Sequence, residues 1–122
     1  MSFKHDPPLI GIVGVCASGK STLINELQRL GYHCRHIAQE HSYVPNMWQR
    51  LTNPDVLIYL SASYETTIAR RNLNWTPKEY QVQLDRLIHA RQGAQITIVT
   101  DQLTASEVVE VAIEQIEKLL SA

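Results

Sequence analysis

The segment Gly14-Val15-Cys16-Ala17-Ser18-Gly19-Lys20-Ser21 fills every fixed position of the pattern G-x-x-x-x-G-K-[ST]. It follows the apolar run Leu9-Ile10-Gly11-Ile12-Val13, which suits a strand covered on both faces. It precedes a stretch, from about Lys20, with Leu23, Ile24, Leu27 and Leu30 at helical spacing. Gly31 stands where a left-handed residue would close that helix. A strand feeding a helix through a tight glycine turn commits the chain to an α/β architecture, because the strand then needs parallel neighbours.

Other elements continue the alternation. Residues His33 to Ala38 read as a weaker edge strand, with Cys34, His36 and Ala38 alternating with Arg35 and Ile37. Asp55 to Leu60 is a second buried strand and Ile96 to Val99 the last. Between them a helix is expected from about Ala62 to Leu73. Another opens on Thr76-Pro77-Lys78-Glu79, a capping box with proline at the first helical position, and carries the stripe Tyr80, Leu84, Leu87, Ile88. Thr104 to Glu107 repeats the capping box and starts a final helix burying Val108, Val109, Ala112, Ile113, Ile116, Leu119 and Leu120. Gln39 to Asn53 is expected to be irregular with one helical turn near Met47 to Leu51. Tyr43, Val44, Met47, Trp48 and Leu51 would cover the sheet end.

The chemistry of the glycine turn follows from its residue types. Glycines let successive backbone N–H groups converge on phosphate oxygens, and the helix behind points its positive end at the same place. Lys20 supplies an ammonium for the β- and γ-phosphates, Ser21 a hydroxyl for Mg²⁺, and Thr22 a donor for the α-phosphate. Gly14, Ala17, Ser18, Gly19, Lys20, Ser21 and Thr22 are therefore the candidate nucleotide-binding residues, with ATP and Mg²⁺ the expected ligands. The groups named read phosphate rather than base, so ATP is the default among triphosphates.

Composition narrows the rest. The chain has 122 residues, 44% hydrophobic and 19% charged, with formal net charge −1, enough for one domain over residues 1–122. That balance gives no general drive toward nucleic acid or an acidic membrane. Residues 1–8 lack the apolar centre of a signal peptide, and no apolar run is long enough to span a bilayer. Cys16 and Cys34 fit neither a metal spacing nor a disulfide framework, so the expected compartment is the cytoplasm.

Three segments together resemble the small nucleoside- and metabolite-kinase branch of P-loop NTPases, including nucleotide kinases and dephospho-coenzyme A kinase. These are Leu9 to Thr22, Asp55 to Arg71, and Ile96 to Leu120, of which only the first is specific. The resemblance implies a three-layer P-loop NTPase fold, here with a small parallel sheet of about four strands. It implies that Arg70, Arg71 or both close over the transferring phosphoryl group, with Arg86 and Arg91 as weaker candidates. It further implies that Thr100 and Asp101 border the base.

Two departures from that pattern matter. No apolar strand ends in aspartate, the usual partner of Ser21 around Mg²⁺, and Asp55 opens its strand instead. The interval Gln39 to Pro54 is also too short for the extra strand and helix of such kinases. If that strand is missing, His33 to Ala38 pairs directly beside the Leu9 strand. Glu40 then emerges at the carboxyl edge near the turn, where it would hold Mg²⁺ or accept a proton, with His41 the second choice. The expected function is transfer of the γ-phosphoryl group of ATP to an unidentified small-molecule acceptor. The alternative is a nucleotide-binding switch or interaction module with slow hydrolysis. No N-K-x-D motif signals guanine, no basic stripe signals nucleic acid, and the edge strand leaves room for a second copy of the chain.

Overall fold

The computed structural model describes residues 2–71 and 74–121. Strand β1 (Leu9–Gly14) leads into helix α1 (Lys20–Arg29), then β2 (His33–His36), β3 (Val56–Ser61) and α2 (Tyr64–Arg71) follow. The chain finishes with α3 (Pro77–Arg86), α4 (Ile88–Gly93), β4 (Ile96–Val99) and α5 (Ala105–Leu120). Among the described residues the sheet has four parallel strands in the order β2-β1-β3-β4. Leu9 pairs with His33, Ile10 with Val56, and Ile58 with Ile96. The chain is thus an α/β fold whose weak second strand sits directly beside the first.

Both faces of the sheet are covered, which is why β1 is apolar throughout and β3 is apolar from Val56 to Leu60. Ile10, Ile12, Ile58, Leu60, Ile96 and Ile98 meet Leu23, Leu27, Ala112 and Ile116 of α1 and α5 on one face. Val13, Leu57 and Tyr59 meet Leu87, Ala90, Ile37 and Trp48 on the other. Among described helices none is long and apolar enough to cross a membrane.

The caps behave as their residues require. Tyr32 and Gly31 donate to Leu27 and Gln28 carbonyls, with Gly31 at φ 97°, closing α1 in a Schellman turn. Leu30, past the helix end, is 49% exposed rather than part of the stripe. Thr76 and Thr104 each form a complete capping box, with Glu79 and Glu107.

Several boundaries differ from the sequence reading. Helix α2 starts at Tyr64, because Ser63 caps it by accepting from Thr66 N–H at 3.2 Å; the expected end at Leu73 lies outside the described residues. The Tyr80–Ile88 stripe does not form one helix. The chain steps at Leu87, which is buried, while Ile88 is 51% exposed at the start of α4. In the final helix, only Val108, Ala112 and Ile116 are fully buried, and the other apolar side chains pack at the margin. Residues Gln39–His41 form a 3-10 turn and Trp48–Thr52 one wide π-type turn. Of the expected sheet cover, Trp48 and Met47 take part, but Tyr43 and Leu51 are 88% and 74% exposed. Trp48 enters the core with its indole N–H on His89, which turns Leu51 on the same wide turn outward. Instead, the Arg86 guanidinium sits over the Tyr43 ring, with its carbon 4.6 Å from the ring centre.

Candidate functional site

The turn after β1 is shaped by backbone geometry before any side chain acts. A methyl group at Gly14 would come within 2.6 Å of both the Leu60 carbonyl oxygen and Ser18 Oγ, so only glycine lets the end of β1 approach β3 and the Ser18 side chain this closely. Ser18 N–H donates to Val15 O at 3.1 Å, and Ala17 and Gly19 take φ 64° and 102°. A left-handed alanine costs about 1–3 kcal/mol, a strain that points to function where the surroundings maintain it. Gly19 is the N-cap of α1 and offers no side-chain acceptor, and no acidic residue occupies the first turn. The first N–H groups of α1 therefore have no acidic side chain competing for them.

Lys20 folds back over this turn. Its Nζ donates to Gly14 O at 2.7 Å and Val15 O at 2.9 Å, and it pairs with Glu40 Oε2 at 2.9 Å. The Lys20 and Glu40 side chains are only 7% and 3% exposed. Glu40 reaches the turn because β2 adjoins β1, so the chain leaving β2 emerges at the carboxyl edge beside Gly14. Gln39 holds it there: buried, its amide donates to Val44 O and Arg86 O and accepts from Trp48 N–H. Glu40 Oε1 and Ser18 Oγ are, among the described residues, the buried side-chain polar atoms without a partner.

Two hollows of about 180 Å³ each flank Gly19. One is polar, lined by Lys20, Ser21, Glu40, His36, His41 and Arg71, with Cys16 and Ala17 at its rim. The other is mostly apolar, lined by Thr22, Leu23, Leu103, Val108, Thr100 and Arg70 beside Ser18. No protein-family model matches this chain, and no curated protein matches it significantly.

The candidate arginines have distinct positions. Arg70 Nη1 donates to Thr100 Oγ1 at 2.9 Å and toward the Ala17 and Ser18 carbonyls, while Nη2 donates to Thr100 O. It ties α2 to the glycine turn. Arg71 lines the polar hollow with Lys20. Arg86 donates to Glu40 O at 3.3 Å, a supporting contact, and Arg91 lines neither hollow. Thr100 borders the apolar hollow, whereas the Asp101 carboxylate turns to α2, accepting from Ser63 N–H and Thr66 Oγ1. Those two donors hold its carboxyl below the usual value. Asp55, at the opposite strand end, accepts from Leu9 N–H and Lys4 N–H and stays far from the turn. Burial raises its pKa, but these bonds outweigh that and keep it low.

Further residues join the site without having been singled out from sequence. Gln83 of α3 grips Cys16 at both ends of its amide: Cys16 N–H donates to Oε1 at 2.9 Å and Nε2 donates to Sγ at 3.1 Å. A polar residue at a stripe position, three after Tyr80 and four before Leu87, was its visible signal. His36 lines the polar hollow, where desolvation and the Lys20 charge lower its pKa.

Proposed function

We propose that the chain is a P-loop protein that binds a nucleoside triphosphate with Mg²⁺ and transfers the γ-phosphoryl group of ATP to a small-molecule acceptor. The observation that carries this reading is the Lys20–Glu40 pair, buried against a turn built from two left-handed residues at the start of α1. An ammonium paired in this way can exchange a carboxylate for a phosphate oxygen with little movement.

The residues present suit Mg²⁺ as well. Ser21 and Glu40 line the same hollow, and Glu40 has an unpartnered oxygen. Together they would hold the cation, which neutralises charge on the phosphates when bound. In this reading, backbone N–H groups of Ala17 to Thr22 bind the phosphate chain and Lys20 contacts its β and γ groups. The acceptor oxygen attacks the γ-phosphorus and the bond to the β-phosphate oxygen breaks, releasing ADP. Glu40 orients the acceptor or takes its proton, and Arg71 offsets charge on the phosphoryl oxygens. The apolar hollow beside Arg70 and Thr100 suits the base.

Two observations favour a second reading, a slow nucleotide switch. Strand β3 ends in Ser61 rather than an acid, and residues 42–47 leave little mass for an acceptor domain. Calorimetry with ATP in magnesium buffer tests the shared claim: micromolar uptake by the wild type, and none by Lys20→Ala. Screening hydroxyl- and phosphate-bearing metabolites for stimulated ADP release then separates the readings. Stimulation identifies a kinase; uptake without any stimulating acceptor identifies the switch.

A further inference from the structure

Three donor groups of a different chemical character converge at the rim of the polar hollow. Cys16 Sγ lies 3.8 Å from His41 Nε2, and His41 Nε2 lies 3.9 Å from Glu40 Oε2. One donor atom from each residue falls within 4.8 Å of the other two. A tetrahedral zinc ion with sulfur at about 2.3 Å and nitrogen and oxygen at about 2.0 Å sets its donors about 3.5 Å apart. From separations of up to 4.8 Å, the donors reach that spacing by closing at most about 1.3 Å.

A second observation points to a ligand here. The Glu40 side chain is 3% exposed, one oxygen engages Lys20, and Oε1 is buried without any partner. A buried carboxylate in that state has capacity for a second cation. Gln83 adds an outer contact, since its amide N–H on Cys16 Sγ orients the sulfur and supports negative charge on it. His41, with its side chain 59% exposed, leaves an entry path from solvent.

We propose that Cys16, Glu40 and His41 form a binding site for a thiophilic divalent cation of the Zn²⁺ type. A sulfur, an imidazole and a carboxylate select zinc-class ions over Mg²⁺ or Ca²⁺, which prefer all-oxygen shells. On binding, the Cys16 thiol proton leaves to solvent, and thiolate, imidazole and carboxylate coordinate. Water fills the fourth position on the side of the open hollow. The site shares Glu40 with the Ser21–Glu40 pair suggested for Mg²⁺ but takes its sulfur and nitrogen donors from Cys16 and His41, so it needs no triphosphate.

The test uses the full chain without nucleotide. Calorimetric titration with Zn²⁺ alone should give one ion per chain, and Cys16→Ser and His41→Ala should each weaken binding by at least about 100-fold, more than typical losses of an outer contact. Titration of the wild type with Co²⁺ should produce a thiolate-to-metal absorption band, and Zn²⁺ should protect Cys16 from alkylation. These two wild-type readouts do not depend on the variants folding. Absence of stoichiometric Zn²⁺ uptake, equal uptake by both variants, a Co²⁺ spectrum without the sulfur band, or unprotected Cys16 would each overturn the site. Failure of ATP to bind would leave all four readouts unchanged.

Discussion

Lys20 Nζ lies 2.9 Å from Glu40 Oε2, a lysine and a glutamate twenty residues apart that are both withdrawn from solvent. Removing one partner leaves the other charge buried, which typically costs about 3–5 kcal/mol, whereas replacing both by apolar groups is often neutral. Lys20→Met and Glu40→Met should therefore each lower unfolding stability by that order, and the double variant should regain most of the loss. Urea unfolding of the four proteins measures the coupling; simple addition of the two losses would show that the pair is not a unit.

The two adjacent arginines should separate by experiment. Arg70 donates to Thr100 and to carbonyls of the glycine turn, so Arg70→Ala should cost about 1–2 kcal/mol of stability and weaken triphosphate binding as well. Arg71 is exposed and lines the polar hollow. Arg71→Ala should leave the melting temperature within about 2 °C of wild type, a change of about 0.5 kcal/mol or less, while slowing any phosphoryl transfer. Equal effects of both substitutions on stability would contradict the distinction.

Asp101 gives a pH signature. Its folded carboxyl is held below the ordinary value of 3.8 by Thr66 Oγ1 and Ser63 N–H. A lowered folded pKa adds stability above the unfolded value, and that stability is lost as pH falls through the folded one. Asp101→Ala should cost about 1 kcal/mol at pH 7, as loss of a helix cap does, and the difference from wild type should shrink below about pH 4. A pH-independent difference would remove the carboxylate from this role.

The two glycines that frame the turn should fail for different reasons. Gly14→Ala drives a methyl into Leu60 O and Ser18 Oγ at 2.6 Å, and overpacking of this kind costs about 1–3 kcal/mol. Gly19→Ala meets nothing within 4 Å but must hold φ 102°, a left-handed penalty of about 1–2 kcal/mol. Thermal unfolding gives both costs. Crystal structures should show a displaced turn in the first variant and an undisturbed one in the second.

The sheet was largely readable from sequence because β1 and residues Val56 to Leu60 of β3 form continuous apolar runs, and the two capping boxes marked helix starts from side-chain chemistry alone. Even the place of Glu40 followed, since a short interval after Ala38 leaves no residues for an intervening strand. The step at Leu87 was not readable: Leu84, Leu87 and Ile88 satisfy a helical stripe equally well, and only the position of the sheet decides which is buried. Tyr43 and Leu51 were misjudged because hydrophobicity does not say which side of a wide turn faces inward. Gln39 and Gln83 escaped for a related reason. A buried amide is recognisable only through its partners, and those lie five to 67 residues away in sequence.

The double grip of Gln83 on Cys16 makes the glycine turn a structure shared between two layers. Helix α3 stands on the far face of the sheet from α1, yet its Gln83 side chain fixes both the main chain and the sulfur of the turn's third residue. A tilt of α3 would therefore be transmitted through Gln83 as a change in the curvature of the turn on the opposite layer.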